Sequence, residues 1–329
     1  MTEIRKKPVM TLLGPTHIDA TALFAREGLR GSLLPDFGST DRADRLRSWR
    51  TAPIRLRNAR LLDPPPRLGT YGFELVRLET AVNAGQGIAE RRETYCAESR
   101  RLVEALTGCR EARLLNQVYR GGFNGLQPGD LLDPAAPAAG AITQYAERVH
   151  TDVSPWLELV PQWNAFAKGR HASIFNVWRS TDLGGPVERM PLALCSVQTV
   201  ASRDMVAALT YGLLEGGDSF VGYDLAYDAF QQWFYYPYMA SDEALVFRLY
   251  DTREKMGCRR GVFHVAVEDP SAPPGARPRE SVDIRIGALF EDETEPDARR
   301  ARFLAELPPV PDALLPKRPM PRGFLPPGC

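Results

Sequence analysis

The stretch Arg279-Glu280-Ser281-Val282-Asp283-Ile284-Arg285-Ile286 does most to narrow what this 329-residue chain can fold into. Side chains of a strand alternate sides with period two. In a strand predicted over 279–290, Val282, Ile284 and Ile286 therefore share one face, and Arg279, Ser281, Asp283 and Arg285 the other. A half-buried strand sends its polar face to water. Here the polar face is read instead as the lining of a small barrel. A Pro/Gly loop, 271–278, separates this strand from another, predicted over 261–267, which is β-branched and aromatic and ends at Asp269-Pro270. If the two pair antiparallel across the loop, His264 lies nearly opposite Ser281 and Val282.

Four histidines occur in the chain, and two of them fit one arrangement. His150-Thr151-Asp152 sits in a strand predicted over 147–153, so His150 and Asp152 point to the same side. His264 on the second strand supplies a third donor. Two imidazoles and one carboxylate on one side of an ion leave positions open on the other, the pattern of a mononuclear Fe(II) oxygenase site and not of a closed Cys-rich zinc site. Arg279 offers a guanidinium fork for a carboxylate, and Ser281 a third hydrogen bond. That chemistry suits the far carboxylate of 2-oxoglutarate. Asn176 and Trp178 share a face of a strand predicted over 174–179. If that face is inward, Asn176 bonds the co-substrate and Trp178 walls the substrate; plain core packing is the alternative. A second H-x-D, His17-Ile18-Asp19, is read as a helix entry with Asp19 as N-cap. His171 is read as a surface or hydrogen-bonded residue, not a ligand.

Several further landmarks occur in order: V-H-T-D at 149–152, N-V-W-R at 176–179, P-L-A-L-C at 191–195, Y-Y-P-Y-M-x-x-D-E-A-L at 235–245, Y-D-T at 250–252 and P-R-E-S-V-D-I-R at 278–285. A fainter one is G-F-E-L at 72–75. With these the segment from His150 to Phe290 resembles the hydroxylase/desaturase family of Fe(II)/2-oxoglutarate-dependent oxygenases. The resemblance implies a mainly β fold with flanking helices around a double-stranded β-helix (jelly-roll, cupin-like) core. It implies dependence on Fe(II), 2-oxoglutarate and O2, and a small-molecule substrate from specialised metabolism. It makes His150, Asp152 and His264 the iron ligands and Arg279 with Ser281 the co-substrate anchor. Two positions depart from the family pattern: Ser196 stands where an aspartate is usual, and Val265 where a threonine is usual.

Charge is balanced, 41 Lys and Arg against 41 Asp and Glu, and no basic run marks a nucleic-acid face. No apolar run reaches membrane-spanning length and no signal-peptide core follows the charged N-terminus, so a cytoplasmic enzyme is expected. Five scattered cysteines without a C-x-x-C pair read as reduced thiols. A homodimer is compatible with all of this.

One compact domain is expected. Residues 1–140 would pack on the core and include a lid loop over 121–140. An oxygenase core would span 141–307, and a Pro-rich arm 308–329. Strands are expected at 73–78 and 113–119, and helices after Asp19, over 88–106 and over 297–307. Residues 203–214 read as a helix or irregular crossover, and the Arg-rich stretch 42–60 as solvated. Gly85-Gln86-Gly87 lacks the third glycine of a dinucleotide loop and reads as a helix entry. Gly217-Asp218-Ser219-Phe220 resembles an esterase block without a spare histidine as base. The aromatic run 230–238 reads as core packing ahead of a substrate pocket. Two rival functions stay open at this point: a jelly-roll binding protein without turnover, and a metalloenzyme that does not use 2-oxoglutarate.

Overall fold

The computed structural model describes residues 14–29, 33–37, 48–121, 145–146, 148–154, 157, 161–211, 219–253 and 261–293. The expected lid loop beyond Gly121, the helix at 297–307 and the Pro-rich arm lie outside these residues. In chain order the strands are β1 (His17–Ala25), β2 (Leu33–Phe37), β3 (Trp49–Asn58), β4 (Phe73–Arg77), β5 (Glu111–Arg120), β6 (His150–Thr151) and β7 (Arg170–Ser180). There follow β8 (Leu192–Cys195), β9 (Met205–Tyr211), β10 (Ser219–Leu225), β11 (Trp233–Tyr235), β12 (Glu243–Asp251), β13 (His264–Ala266) and β14 (Ser281–Glu293). Two α-helices, α1 (Ile88–Thr107) and α2 (Pro161–Ala167), flank them.

The strands form two sheets. One has nine strands in the order β1, β3, β11, β8, β13, β6, β10, β9, β2; the other has five in the order β4, β12, β7, β14, β5. Bridges from Leu23 to Arg148 and from Ala25 to Ala226 bring β1 back against the far part of its own sheet, so the larger sheet curls on itself. Between the two sheets lies a core of Phe73, Ile174, Trp178, Leu245 and Phe247 from one side and Leu192, Leu194, Phe234 and Val262 from the other. The five-stranded sheet is buried on its outer face as well, where Val282, Ile284 and Ile286 of β14 meet Tyr95, Leu102 and Val103 of α1. That leaves the polar face of β14 turned inward, as its alternation requires. Strands crossing between two facing sheets in this way make the expected double-stranded β-helix, a jelly roll.

Helix α1 stops where Gly108 takes a left-handed conformation, φ 65°, and its N–H bonds back to Glu104. Beneath the helix, Arg179 of β7 is fully buried against Glu98, and a further nitrogen of the same guanidinium donates to the carbonyls of Leu78 and Ser241. This arginine of the N-V-W-R motif therefore ties helix to sheet.

Three local expectations give way to strand pairing. Residues 17–25 form β1 and not a helix capped by Asp19. Ile18, Ala20, Ala22 and Phe24 are buried in alternation and all nine residues pair with β3, which outweighs the helix propensity of Ala and Leu. Asp19 instead accepts from exposed Arg55 at 2.8 Å. Part of the Arg-rich stretch is β3 itself, whose Arg55 and Arg57 face water while Ala52, Ile54 and Leu56 are buried. Met205–Tyr211, expected as a helix or crossover, is strand β9, paired with β10. The antiparallel pairing expected between the His264 strand and the Ser281 strand does not occur: β13 lies in the larger sheet between β8 and β6, and β14 lies in the smaller one between β7 and β5. The fourteen-residue connection between them, 267–280, crosses from sheet to sheet, which sets their inner faces opposite each other instead of side by side.

Candidate metal and carboxylate site

His150 and Thr151 form β6, and Asp152 follows directly. On the other side of the pairing, His264 opens β13 and sits opposite His150. The two rings approach with centroids 4.5 Å apart, tilted by 48°. Asp152 closes the third side, its Oδ1 3.6 Å from His150 Nε2 and its Oδ2 3.8 Å from His264 Nε2. The three donor atoms lie within 4.8 Å of one another, and all three residues are buried. Among the described residues this is the one group of three or more His, Cys, Asp or Glu with that spacing.

Backbone carbonyls orient both imidazoles. His150 Nδ1 donates to Arg148 O at 2.7 Å and His264 Nδ1 to Val262 O at 3.1 Å. With the proton held on Nδ1, each Nε2 presents its lone pair toward the shared centre, the tautomer a metal ligand needs. Burial, with the neighbouring His264 adding to it, pulls His150 down to about 4, so its ring is neutral at physiological pH. Phe247 of β12 packs against His264, ring centroids 4.9 Å apart, and walls the centre from the smaller sheet.

Arg285 of β14 reaches across from that same sheet. Its Nε donates to Asp152 Oδ2 at 3.2 Å, its Nη2 is 3.0 Å from the same oxygen, and its Nη1 donates to Asn116 Oδ1 at 3.0 Å. Burial alone would push Asp152 up, but the Arg285 guanidinium beside it holds the carboxyl well below the usual carboxylate range. Asp152 Oδ2 is thus committed to an arginine, and Oδ1 is left for a cation. The period-two alternation had put Arg285 on the inward face, but nothing in the sequence assigned it to Asp152.

The neighbouring arginine is in a different state. Arg279 is 3% exposed; one Nη donates to the carbonyl of Met190, a residue held at φ 53°, while Nε has no hydrogen-bond partner. No carboxylate of the described residues pairs with Arg279. Burial, then repulsion from Arg120, lowers it to about 10, so it still carries its charge at neutral pH. Its guanidinium lies over the rings of Tyr145, 4.4 Å away, and Trp178, 5.5 Å away. Trp178 pairs with Asp283, so the Arg279 side chain reaches back to the level of Asp283, two residues short of Arg285. Ser281 Oγ and Trp178 Nε1 are also buried without a partner. Unsatisfied buried donors are costly and mark a missing acceptor.

Asn176 is directed inward, but its Nδ2 already donates to Asp283 Oδ1 at 3.0 Å, and Arg120 Nε holds the other Asp283 oxygen at 3.0 Å. The free atom of Asn176 is Oδ1, an acceptor. His171, read as a non-ligand, bonds through Nε2 to Asp251 Oδ1 at 3.1 Å and stacks on Phe290. Ser196 takes the place of the family aspartate as the cap of a short 3-10 turn, accepting from Gln198 N. In the aromatic run, Trp233, Phe234, Tyr235 and Tyr236 are core residues, whereas Phe230 is 82% exposed.

With the geometry established, the chain can be set beside known proteins. A family model described as an oxidoreductase/YMDC permease-like domain matches residues 16–289. Despite the second half of that description, no helix among the described residues is long and apolar enough to cross a membrane. The hydroxylase/desaturase asaB of Aspergillus flavus is 32% identical over 37% of this chain, and the chain spans 56% of its length. The hydroxylase/desaturase efuI of Hormonema carpetanum is 25% identical over 84% of this chain, which spans 96% of its length. The Fe(II)/2-oxoglutarate-dependent dioxygenase nvfI of Aspergillus novofumigatus is 34% identical over 34% of this chain and 38% of its own. A solved structure of the iron and alpha-ketoglutarate-dependent endoperoxidase NvfI superposes with a TM-score of 0.64 at 22% identity, covering 84% of this chain and 98% of that one, which shows a shared fold.

Proposed function

The chain belongs to that oxidoreductase family, among hydroxylase/desaturases and Fe(II)/2-oxoglutarate-dependent dioxygenases, and from this premise we propose that it oxidises a small molecule of specialised metabolism at the buried His150, Asp152 and His264 centre. The observation that carries the site assignment is a juxtaposition between the sheets: three converging donors suited to a cation, and a buried guanidinium that no carboxylate of the described residues neutralises. Fe(II) and a 2-oxo dicarboxylate answer both.

The donor set fits such an ion. Two imidazole nitrogens and one carboxylate oxygen match the two-histidine, one-carboxylate site of non-haem Fe(II). What Fe(II) and 2-oxoglutarate supply when bound is oxygen activation, coupled to conversion of the co-substrate to succinate and CO2 and to oxidation of a substrate C–H bond. The protein's own part is positional. His150 and His264 are held in the ligand tautomer by Arg148 and Val262 carbonyls. Arg285 takes one oxygen of Asp152 and so fixes the direction of the other. Arg279 and Ser281 are the proposed seat of the far carboxylate, with Trp178 Nε1 a further donor beside them. Asn176, whose free atom is an acceptor, contributes to co-substrate binding through a donor such as water and by steadying Asp283. Phe247 packs against His264 and Trp178 against Arg279, and these low-dielectric aromatic walls strengthen the polar contacts beside them.

The wider assignment goes with this reading. The described strands on both sides of residue 140 belong to one oxygenase domain, because each sheet takes strands from both, and the protein works in the cytoplasm, where Cys96, Cys109 and Cys195 stay reduced. The deciding experiment is anaerobic addition of Fe(II) and then 2-oxoglutarate to the metal-free protein, followed by the weak visible charge-transfer band of the chelate. A band in wild type that vanishes in His264→Ala and needs far more 2-oxoglutarate in Arg279→Ala is the expected result. Breaking a buried charge pairing costs about 3–5 kcal/mol, which corresponds to an apparent affinity loss of roughly 10² to 4 × 10³. Absence of the band in folded, iron-loaded wild type sinks the assignment. A band without succinate formation across substrate screens would favour a binding protein.

A further inference from the structure

We propose that Tyr145 is a positioning residue for the co-substrate arginine, setting the preference for a dicarboxylate over a monocarboxylate 2-oxo acid. The inference rests on the reading of Arg279 as the anchor for the far carboxylate.

Tyr145 meets Arg279 twice. Its hydroxyl donates to the Arg279 carbonyl oxygen at 2.8 Å, and its ring lies under the guanidinium, 4.4 Å from ring centre to carbon. The first contact fixes the backbone from which the side chain starts; the second fixes where the side chain ends. On a further side of the guanidinium lies Trp178 at 5.5 Å, and the Met190 carbonyl takes one of its terminal nitrogens. Gly121 presses on the same backbone: a Cβ there would fall 2.2 Å from the Arg279 carbonyl oxygen.

These contacts do the work usually done by a carboxylate partner, without neutralising the charge. A long, flexible side chain carries rotamer entropy that must be lost when it binds an anion. Held between aromatic faces and a carbonyl, Arg279 has lost that freedom before the ligand arrives, and its Nε remains unpaired. An aspartate in place of Tyr145 would fix the guanidinium equally well but would occupy the fork. Aromatic faces attract the cation through the ring quadrupole and leave the in-plane N–H donors free.

The test compares two ligands of nearly equal size, 2-oxoglutarate and 2-oxovalerate, which has a methyl group where the far carboxylate would be. Dissociation constants are measured anaerobically on Fe(II)-loaded protein by titrating the chelate band. The quantity read is the ratio of the two constants. Wild type is expected to favour 2-oxoglutarate on the order of 100-fold, and Arg279→Ala to bring the ratio near one. Tyr145→Phe keeps the ring and loses the hydroxyl, lowering the ratio roughly 3-fold; Tyr145→Leu loses both contacts and lowers it roughly 10-fold or more. In each Tyr145 variant the affinity for 2-oxovalerate stays at the wild-type value. Thermal unfolding of each variant checks that it is folded.

If Tyr145→Leu weakens both ligands equally, or leaves the ratio unchanged while Arg279→Ala collapses it, the role of Tyr145 is refuted and the anchor assignment stands. A ratio that survives Arg279→Ala refutes the anchor and the inference together.

Discussion

Replacing Arg285 with leucine leaves Asp152 buried and charged with its guanidinium gone. The pair is almost wholly withdrawn from water, side-chain exposures being 9% and 10%, and both Nε and Nη2 approach one carboxylate oxygen at 3.2 and 3.0 Å. Two unit charges about 4 Å apart at an effective dielectric near 20 attract by about 4 kcal/mol, and removing one partner of a buried pair costs about 3–5 kcal/mol by direct measurement elsewhere. Asn116 loses its donor as well, at a further cost of about 1 kcal/mol. At roughly 2–4 °C per kcal/mol, the metal-free Arg285→Leu protein should melt on the order of 10 °C below wild type at pH 7.5.

The pH dependence gives the sharper test. In wild type the folded Asp152 titrates below its unfolded value of 3.8, so it adds stability that is fully present above 3.8 and is lost only as pH falls through the lower folded value. In the variant, burial is opposed only by the His150 and His264 imidazoles, and the folded carboxyl titrates higher than in wild type. Its destabilisation is then relieved by protonation as pH falls toward that raised value. The melting gap between the two proteins should therefore narrow as pH falls from 7.5 toward that raised value. Thermal unfolding in a chelator at several pH values measures this directly. Adding Asp152→Leu to Arg285→Leu removes the stranded charge and should recover much of the loss. A gap below about 1 kcal/mol, or one that does not change with pH, would refute the account of Asp152 as a carboxylate held by Arg285.

Other perturbations test the frame around the centre. Gly121, at φ 85° and against the Arg279 carbonyl, should lose about 2–4 kcal/mol of stability on substitution by alanine; Gly275, at φ 79° with open space around it, should lose only about 1 kcal/mol. Comparing their denaturant midpoints separates conformational strain from steric conflict, and equal losses would show that the close approach at Gly121 carries no energy. Arg179→Met takes the guanidinium from Glu98 under α1, leaving it only the Thr80 hydroxyl and the Ala81 N–H, and should cost about 3 kcal/mol, seen as loss of helical signal at lower denaturant; an unchanged midpoint would show the tie to be dispensable.

Much of the site was legible before any fold was known, because its signals are local. His150 and Asp152 are two residues apart on an extended segment, so backbone periodicity alone puts them on one side. Val282, Ile284 and Ile286 against Ser281, Asp283 and Arg285 follow the same rule, and the apolar set does pack on α1. The helix over 88–107 and its glycine stop were likewise carried by short-range pattern. β1 was misread for the converse reason. Ala-Thr-Ala-Leu-Phe-Ala has the composition of a helix, and what makes it a strand is a nine-residue partner whose paired positions lie 24 to 40 residues further along the chain.

What the sequence determined by itself is the inventory and its faces: three metal-type donors, an arginine and a serine on one strand face, and a β fold to carry them. The tertiary structure decided which of these meet. His264 comes beside His150 only because β13 enters the larger sheet next to β6, 114 residues along the chain. Arg285, on the opposite sheet, was one of several inward polar residues until the two sheets closed and brought it to Asp152. Arg279, two residues ahead of β14, and Arg285 within it are six residues apart and both buried; one is paired with a carboxylate and the other is not, and no local pattern distinguishes them. The difference lies in which carboxylate stands across the gap between the sheets, and side-chain alternation carries no information about that gap.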